Sequence, residues 1–326
     1  MAAAGFQPAC LFPDMKLPAP IAAILQEPPP SMAFEISEAG ISVARLAAKT
    51  ELDFRPLKPG VLAITPLKDN VVMPDELSIA VRELAPQNGN RKRRDVALIL
   101  PDYSSRIAVL DFDNFPSDTK EQLSLIRFRI KKSVPFDVES AAISYFVQPA
   151  EGKKFDVVVV VAPLEVISRY EAPFRSAGMN PGLVTTSSLA ALNLVEDGGI
   201  TVVAKITGRV LTVMVLRNGR LKLVRCLEVH ANDVAEIAAD LYPTFVYIED
   251  NIGAKAERLL LCGFAERMEA ARQQFQSELG VEVQPVRSPL APPGENNAGL
   301  LGYLKSVGQT SRSARALQDP LLDAES

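Results

Sequence analysis

The chain has 326 residues, 48% of them hydrophobic and 23% charged, with a formal net charge of −4. A chain of this length and apolar content buries a substantial core and forms one large domain or two to three small ones. Its slightly acidic balance lacks the basic field that is typical of nucleic-acid binders, so we expect no nucleic-acid partner.

Residue types that build most catalytic and metal sites are scarce here. Three cysteines, Cys10, Cys226 and Cys262, are widely spaced and match neither a disulfide framework nor a metal-ligand spacing, so we expect reduced, buried thiols. The single histidine, His230, is expected in a turn and cannot by itself supply a triad or a histidine metal site. No G-x-x-x-x-G-K-S/T phosphate loop is present. The sequence therefore supports no enzyme activity.

No apolar run approaches the roughly 18 residues of a membrane-spanning helix. The N-terminus lacks the charged region followed by an apolar core that marks a signal peptide. We therefore expect a cytoplasmic protein.

The first hundred residues divide into an extension and a strand-rich region. Residues 1–31 are rich in proline, which disfavours helix interiors and central strands, so they are predicted to form a surface extension. Residues 33–47 alternate apolar and polar side chains and predict a strand hairpin, whereas 57–70 read as turn-rich strand sequence. Residues 74–84 predict a short amphipathic helix.

A basic loop precedes a buried strand. Residues 88–94, NGNRKRR, could indicate a nucleic-acid site, but on an acidic chain a solvated turn is the favoured interpretation. Residues 95–100, DVALIL, predict a buried strand.

The most informative stretch spans residues 115–147. Ser117 or Asp118 can cap a helix over 118–133, and apolar residues recur inside it at the three-to-four residue period of a buried stripe. Pro135 ends the helix, and residues 142–147 are rich in β-branched and aromatic residues that predict a strand.

The second half of the chain continues with alternating strands and helices. Residues 200–229 predict one long hairpin that turns at Asn218-Gly219, the dipeptide favoured in tight hairpin turns. A helix is expected from Asn232, with Ile237, Leu241 and Val246 inward and a break or kink at Pro243. The remaining predicted elements are strands at 107–112, 156–162, 258–262 and 281–286, helices at 164–177, 265–279 and 296–307, and a disordered tail at 309–326.

The helix, the V-P-F-x-x-E turn of Val134, Pro135, Phe136 and Glu139, and the following strand together resemble the PilM family of type IV pilus assembly proteins. These are actin-like relatives of the division protein FtsA. The resemblance extends from about Met32 to about Ser306. It implies an α/β, actin-like (ribonuclease H-like) fold with two lobes and an inserted small αβ subdomain.

By this resemblance the chain divides into five parts. Residues 1–31 are the extension, 32–105 with 179–199 form the first subdomain, 106–178 the inserted subdomain, 200–308 the second subdomain and 309–326 the tail. Relatives insert a further roof subdomain after the second hairpin. This chain passes almost directly from Val229 to the next helix, so we expect that roof to be much reduced.

The family's ATP-site motifs are altered in this chain. Glu35 and Ser37 stand where the first hairpin of relatives carries Asp and Gly, and Lys205 stands where the second hairpin carries a metal-binding acid. Gly208 follows the position of the next glycine, and Gly263 alone remains of the adenosine turn. A lysine cannot ligate Mg²⁺, which takes oxygen ligands. We therefore expect no cofactor and no metal, with ATP and magnesium as the alternative.

The resemblance also implies a partner. PilM-like proteins bind a short N-terminal peptide of the inner-membrane protein PilN in a cleft between the first subdomain and the inserted one. Leu100, Pro101, Tyr103 and Arg106 are expected to border that cleft, although Tyr103 and Arg106 could equally be solvated turn residues.

The expected function is a scaffold at the inner face of the inner membrane, reaching the membrane only through its partners. It would also contact other pilus components and associate with itself. Two alternatives stay open: a divergent ATPase that uses Glu35, Lys205 and Gly208 in altered roles, and an FtsA-like division protein.

Overall fold

The computed structural model describes residues 30–318 with gaps at 47–49, 68, 86–93, 149–153, 197 and 230–232, and describes side chains only as far as residue 308. Three sequence predictions lie wholly or mostly outside these residues: the extension at 1–31, the basic loop at 88–94 and the turn at His230. The disordered tail predicted at 309–326 is wrong for residues 309–318, because the final helix, predicted to end at 307, continues to Gln318; residues 319–326 lie outside the described ones.

The described residues form strands and helices in alternating groups. The strands are β1 (Met32–Ile36), β2 (Gly40–Arg45), β3 (Glu51–Pro56), β4 (Arg94–Leu100), β5 (Arg106–Phe112), β6 (Ala141–Gln148), β7 (Phe155–Pro163), β8 (Met179–Thr186), β9 (Ile200–Thr207), β10 (Val210–Arg217), β11 (Arg220–Glu228), β12 (Arg258–Cys262) and β13 (Glu282–Pro285). The α-helices are α1 (Pro74–Leu84), α2 (Thr119–Ile130), α3 (Leu164–Ser176), α4 (Ser187–Ala191), α5 (Val234–Tyr247), α6 (Met268–Leu279) and α7 (Ala298–Gln318).

Two five-stranded sheets share one topology. The first has the order β3-β2-β1-β4-β8 and the second the order β11-β10-β9-β12-β13. In each, three strands form an antiparallel meander and two further strands join in parallel. We call the first sheet and its helices the first lobe, and the second sheet with α5 and α6 the second lobe. This repeated topology is the framework of the molecule.

Side-chain alternation along β1 explains how the first lobe is layered. Phe34 and Ile36 point to one face and pack with residues of α1 and α3, whereas Ala33 on the other face packs towards α4 and α7. The Phe34 and Phe174 rings meet edge to face with centroids 5.0 Å apart. Both faces of this sheet are therefore covered, as parallel strands require.

One hydrophobic core belongs to both lobes. Ala97 and Ile99 of the first sheet, Val203 and Met214 of the second, and residues of α4 and α7 form a single buried cluster. The opposite face of the second sheet packs on α5 and α6 in a separate cluster. The lobes are thus joined by apolar packing as well as by the polar contacts described below.

The third sheet is a small antiparallel one of order β5-β7-β6, covered on one face by α2. We call this unit the small subdomain. Asp118 caps α2 by accepting hydrogen bonds from the backbone N–H groups of Lys120 and Glu121, as the sequence predicted. Gln148 at the end of β6 exchanges two hydrogen bonds with the backbone of Leu221 in β11, which ties the small subdomain to the second lobe.

The division at residue 178 needs a correction. Helix α3 lies within the predicted inserted subdomain, but its buried residues Val166, Tyr170 and Phe174 belong to the core formed with α1 and β1. The helix therefore packs with the first lobe, because its apolar face is matched by that of α1 and not by the small sheet.

Three local predictions were wrong. Residues 200–229 form three strands and not one hairpin, because Gly208 adopts φ +55° and starts an additional turn before β10. The strand expected in 57–70 lies earlier, as the charged edge strand β3, and only a bridge between Leu62 and Val71 remains in that region. Val246 is exposed, because the buried face of α5 continues through Thr244 to Ile248.

The reduced roof is visible in the connection that follows β11. Glu228 ends β11 and Val234 begins α5, so no subdomain is inserted between them. Pro243 does not break α5, which continues to Tyr247 and then into a π-helical turn at Ile248–Ile252. Of the helices that the described residues form, none combines the length and apolarity that crossing a membrane requires.

The close packing of α7 on α4 generates a prediction. A Cβ added at Gly302 would lie 2.0 Å from the Ala190 carbonyl oxygen, whereas one added at Gly308 on the same helix meets nothing within 4 Å. We expect Gly302→Ala to lower the free energy of unfolding by about 1–3 kcal/mol. Gly308→Ala should raise it by up to about 1 kcal/mol, because alanine is the better helix former. Urea denaturation of both variants measures this, and equal effects would contradict the packing of α7.

Candidate functional sites between the lobes

Turns from both lobes meet where the two sheets face each other, and these turns carry the residues that the sequence singled out. Ser37 lies in the β1–β2 turn, Gly208 in the β9–β10 turn and Gly263 directly after β12. Glu35 and Lys205 lie on the strands that lead into the first two turns. The structure thus brings all five predicted nucleotide-site positions to one region between the lobes.

At the centre of this region lies a buried ion pair. Lys205 Nζ is 3.0 Å from Asp102 Oδ2, and the two side chains are only 1% and 3% exposed. Asp102 belongs to a 3-10 turn at Asp102–Ser104 that follows β4 in the first lobe, whereas Lys205 belongs to β9 in the second. The ion pair therefore links the lobes.

Hydrogen bonds complete the environment of both charges. Asp102 also accepts hydrogen bonds from the backbone N–H of Ser188, at 2.6 Å, and from the Thr212 hydroxyl, at 3.1 Å. Lys205 donates a second bond to the Thr207 hydroxyl at 2.7 Å. A buried ion pair is tolerated when its remaining donors and acceptors are satisfied in this way.

A second carboxyl group lies close to this pair. Glu35 is 1% exposed and accepts hydrogen bonds from the Ser187 hydroxyl and from the backbone N–H of Leu300, the latter at 2.7 Å. Burial raises the pKa of Glu35 above its usual value, although the Lys205 charge and these donors oppose the shift. Burial also lowers the pKa of Lys205, but the charges of Asp102 and Glu35 together outweigh it and leave that pKa raised. Both raised pKa values favour the protonated form, which is neutral for Glu35 and positive for Lys205. Together with the carboxylate of Asp102, the cluster then carries no large net charge.

The chain supplies its own anion at the β9–β10 turn. Glu295, in the segment before α7, accepts a hydrogen bond from the backbone N–H of Gly208 at 3.3 Å and pairs with Arg267 at 3.4 Å. Its backbone oxygen accepts from the Thr207 hydroxyl at 3.0 Å. A backbone N–H of a tight turn is a typical anion contact. Here a carboxylate of the same chain takes that contact.

Gly263 is required by geometry. It adopts φ +80°, and a Cβ at this position would lie 2.1 Å from the Ile206 carbonyl oxygen and 3.4 Å from Glu295 Cα. The close approach brings the end of β12 against β9 and the Glu295 segment. Ser37, in contrast, bonds within its own turn, where its hydroxyl donates to the Gly40 carbonyl oxygen at 3.0 Å.

Metal-binding and thiol chemistry find little support in this region. Within the ranges that the structure describes, no group of three or more His, Cys, Asp or Glu side chains is placed to hold a metal ion. Burial raises the pKa values of Cys226 and Cys262 to about 12, so both thiols stay protonated and unreactive near neutral pH. This agrees with the expectation of reduced thiols; Cys10 lies outside the described residues.

A second candidate site is an apolar cleft between the first lobe and the small subdomain. Its floor is one face of the small sheet, where Ala142 of β6 pairs with Ala162 of β7 and Ser144 with Val160. Its walls come from the 3-10 turn after β4, from Ile167 of α3 and from the end of β8. The lining residues are Leu100, Ser104, Ser105, Ala142, Ser144, Val160, Ala162, Ile167, Val184, Thr185 and Thr186.

Two hydroxyl groups in the cleft lack a partner. The oxygens Ser144 Oγ and Thr186 Oγ1 are buried and have no hydrogen bond. The two residues are 4% and 3% exposed and lie on β6 and β8, which are edge strands of their sheets. Buried polar atoms are normally satisfied by protein or by ordered water, so each of these hydroxyls can take one more hydrogen-bonding group in the cleft.

The predicted partner residues are only partly in the cleft lining. Leu100 lines the cleft, but Pro101, Tyr103 and Arg106 are not among the residues that do. The Arg106 guanidinium lies 5.5 Å from the centre of the Tyr103 ring, so these two side chains stack on each other.

Sequence reasoning missed Asp102, Glu295, Ser144 and Thr186. A signal existed for Asp102, because a polar residue directly after a buried parallel strand lies where ligand sites concentrate in open α/β sheets. Ser144 and Thr186 gave no comparable signal, since each is a small polar residue inside a strand and its role depends on a distant neighbour.

The buried pair generates a stability prediction. Lys205→Met leaves the Asp102 carboxylate buried without its cation, so we expect the free energy of unfolding to fall by about 3–5 kcal/mol. The control is Lys58→Met, which removes the exposed 2.8 Å ion pair with Glu76 and should cost no more than about 1 kcal/mol. Denaturant titration compares them, and similar small losses would contradict a linking role for Lys205.

The raised pKa of Glu35 gives a pH prediction. A carboxyl group whose pKa is higher in the folded state contributes stability below its unfolded pKa and loses it as pH rises through the folded pKa. In Glu35→Gln this loss is absent, so the variant should gain stability relative to the wild type as pH rises from about 4.5. Thermal unfolding of both proteins between about pH 4 and about pH 8 measures the difference in their stability. A difference that stays constant with pH would contradict the raised pKa of Glu35.

Comparisons with known proteins bear on the fold. No protein-family model matches the chain, and no curated protein sequence matches it. Among solved structures, a chain of the PilM-PilN type IV pilus biogenesis complex is similar over 88% of this chain and 99% of its own length, with 18% identity and a TM-score of 0.69. A Bacteroides thetaiotaomicron protein with an actin-like ATPase fold and unknown function matches over 85% and 96%, with 11% identity and a TM-score of 0.53.

These likenesses show the fold. Their coverage includes both lobes and the small subdomain, and the repeated sheet topology agrees with them. The chain therefore has the actin-like fold, in a form similar to that of a chain in the PilM-PilN complex.

Proposed function

We propose that this chain is a scaffold of a type IV pilus assembly machine that binds the cytoplasmic N-terminal peptide of a PilN-like inner-membrane protein in the apolar cleft. The observation that carries this proposal is the pair of buried, unpartnered hydroxyls of Ser144 and Thr186 in an otherwise apolar lining. The fold adds support, because the similar chain comes from a complex named for PilM and PilN.

The cleft suits an extended peptide. Strands β6 and β8 are both sheet edges, so each offers unpaired backbone groups to which an added strand can bond. The methyl-sized floor of Ala142 and Ala162 and the wall formed by Ile167 and Val184 accept apolar side chains. The two hydroxyls would bond a polar group of the peptide, which would set its register.

We further propose that the chain is a pseudo-ATPase. A magnesium-bound nucleotide does not fit the residues present, because Lys205 places a cation where the family has a metal-binding acid and is already bonded to Asp102 and Thr207. Glu295 likewise takes the backbone N–H of Gly208 that a phosphate would need. Lys205 and Glu295 thus occupy one metal-ligand position and one phosphate contact of such a site.

The proposed setting is the cytoplasmic face of the inner membrane. The chain would reach the membrane through its peptide partner, contact other components of the machine and associate with itself. A divergent ATPase and an FtsA-like division protein are the competing functions, and the two tests below separate them from the scaffold.

Filling the cleft should weaken peptide binding. Ala142 is half-buried on the floor, and a leucine there projects into the space that a peptide side chain would occupy. For Ala142→Leu we expect at least about a tenfold loss of affinity for the partner's N-terminal peptide, equivalent to about 1.4 kcal/mol. Isothermal titration calorimetry provides the measurement.

The matched control is Ala270→Leu, the same substitution at an exposed position of α6 in the second lobe. It should leave the affinity unchanged. If both variants bind like the wild type, the peptide binds elsewhere, and if the wild type ignores the peptide, the scaffold proposal fails. The variants Tyr103→Ala and Arg106→Glu test whether this stacked pair contributes to peptide affinity from outside the cleft lining.

The purified protein should neither bind Mg-ATP tightly nor hydrolyse it. The reason is that Lys205 donates a hydrogen bond to the Thr207 hydroxyl, which in turn donates to the Glu295 carbonyl oxygen, so these groups are satisfied without a nucleotide. Calorimetry and a phosphate-release assay check this. Micromolar affinity that disappears in Lys205→Ala would favour the divergent ATPase.

A further inference from the structure

Helix α5 has a second apolar face that the chain does not cover. Ala235, Ala239, Tyr242 and Val246 follow the spacing i, i+4, i+7, i+11 and so lie on one side of the helix. All four are exposed, Tyr242 to 60% and Val246 to 38%. We call this set the α5 stripe.

The stripe lies opposite the face by which α5 is held in the second lobe. Ile237, Leu241 and Thr244 are buried against the second sheet and α6. A helix that is apolar on two sides is normally covered on both. Only residues 229–233 separate β11 from α5, so this connection does not cover the stripe.

The charged residues of α5, its N-cap and its π-helical extension all have one sign. Four acidic residues lie on the helix and the extension, a fifth caps the N-terminus, and the sequence between Arg225 and Lys255 contains no lysine or arginine. From the neighbouring strand β11, Arg225 contacts α5 on its buried side, at Thr244. In the described part of the chain none of the five forms an ion pair with a lysine or arginine. They are Asp233, Glu236, Asp240, Glu249 and Asp250.

We propose that the α5 stripe is a docking surface for a basic amphipathic helix of a partner protein. The apolar stripe matches the i, i+3, i+4, i+7 anchors of a helix laid against it, and lysine or arginine at the margins of that helix would neutralise the acidic rim. Burying the exposed parts of Tyr242 and Val246 supplies the apolar share of the affinity, and the charges add to it. This surface lies in the second lobe and is separate from the peptide cleft.

Charge decides between the alternative occupants. Residues 1–29 contain one lysine and two acidic residues, and 319–326 contain three acidic residues and no basic one, so neither terminal segment complements the rim. Nucleic acid and anionic membrane surfaces are repelled by it for the same reason. The electrostatics favour a basic helix of another protein. The competing occupant is a basic segment of a second copy, such as residues 91–94 or the end of α7 with Arg312 and Arg315, and the sedimentation measurement below detects it.

The probe is a synthetic helix of about 18 residues, long enough to be helical, with leucines at the stripe spacing and lysines on both margins. A matched peptide carries glutamate in place of every lysine. Fluorescence anisotropy measures binding of each to the full chain. The wild type should bind the lysine peptide, with an affinity that falls as salt rises, and should not bind the glutamate peptide.

Variants locate the contact. Tyr242→Glu and Val246→Glu should each weaken binding of the lysine peptide at least about tenfold, whereas Phe128→Glu, at a 75% exposed position on α2, should not. The double variant Glu236→Lys, Glu249→Lys should lose the lysine peptide and gain the glutamate peptide. Glu278→Lys on α6 is the charge control.

Three results would overturn the proposal. Equal affinity for both peptides would show that charge does not select the partner, and unchanged binding by both stripe variants, each shown to be folded by circular dichroism, would move the site elsewhere. A change in the sedimentation coefficient of the protein alone on Tyr242→Glu would identify a second copy of the chain as the occupant. Ala142→Leu, which tests the cleft, should leave this binding unchanged, so the two proposals fail independently.

Discussion

The ion pair between Lys205 and Asp102 is the constraint on which the arrangement of the lobes depends. Two opposite charges at 3.0 Å, almost fully removed from water, lose their mutual attraction if they separate while both stay buried, and their other hydrogen bonds do not replace it. One partner lies on a strand of the second sheet and the other on a turn of the first lobe. Any opening of the lobes at this point would expose or orphan both, and the shared apolar core beneath adds to the cost.

The ion pair also holds one wall of the apolar cleft in place. Asp102 is held by Lys205, by Thr212 and by the backbone of Ser188, and its neighbours Leu100, Ser104 and Ser105 form one wall of the cleft. A wall held by three elements from two lobes is preorganised, which lowers the entropy that binding must spend on ordering it. Under the proposed function, the region of the buried ion pair therefore acts as a rigid support for a protein contact.

Much of the fold could be predicted from local sequence. Helix α1 was predicted with its bounds because Pro74 can begin a helix and apolar residues repeat at its period. The cap of α2 was predicted as Ser117 or Asp118, and it is Asp118, which has capping-box spacing to Glu121. The turn at Asn218 was found because Asn-Gly tolerates positive φ, and Asn218 has φ 50°. These features depend on residues only a few positions apart.

What could not be predicted depends on distant residues. The 103-residue separation of Lys205 and Asp102, and the 87-residue separation of Gly208 and Glu295, leave no local pattern. Sequence identified Lys205 as unsuited to magnesium but gave no indication of its partner. Helix α3 was placed with its neighbours in sequence, although its core is the one formed by α1 and β1.

Amide hydrogen exchange at Ser188 in Lys205→Met tests the linking role of the ion pair most directly. The Ser188 N–H donates to Asp102 and lies in the first lobe, on the far side of the pair from the substituted strand. If the pair holds the lobes together, Ser188 and residues 100–105 should exchange much faster than in the wild type under conditions where both proteins remain folded. Faster exchange confined to β9, with Ser188 protected as before, would contradict it.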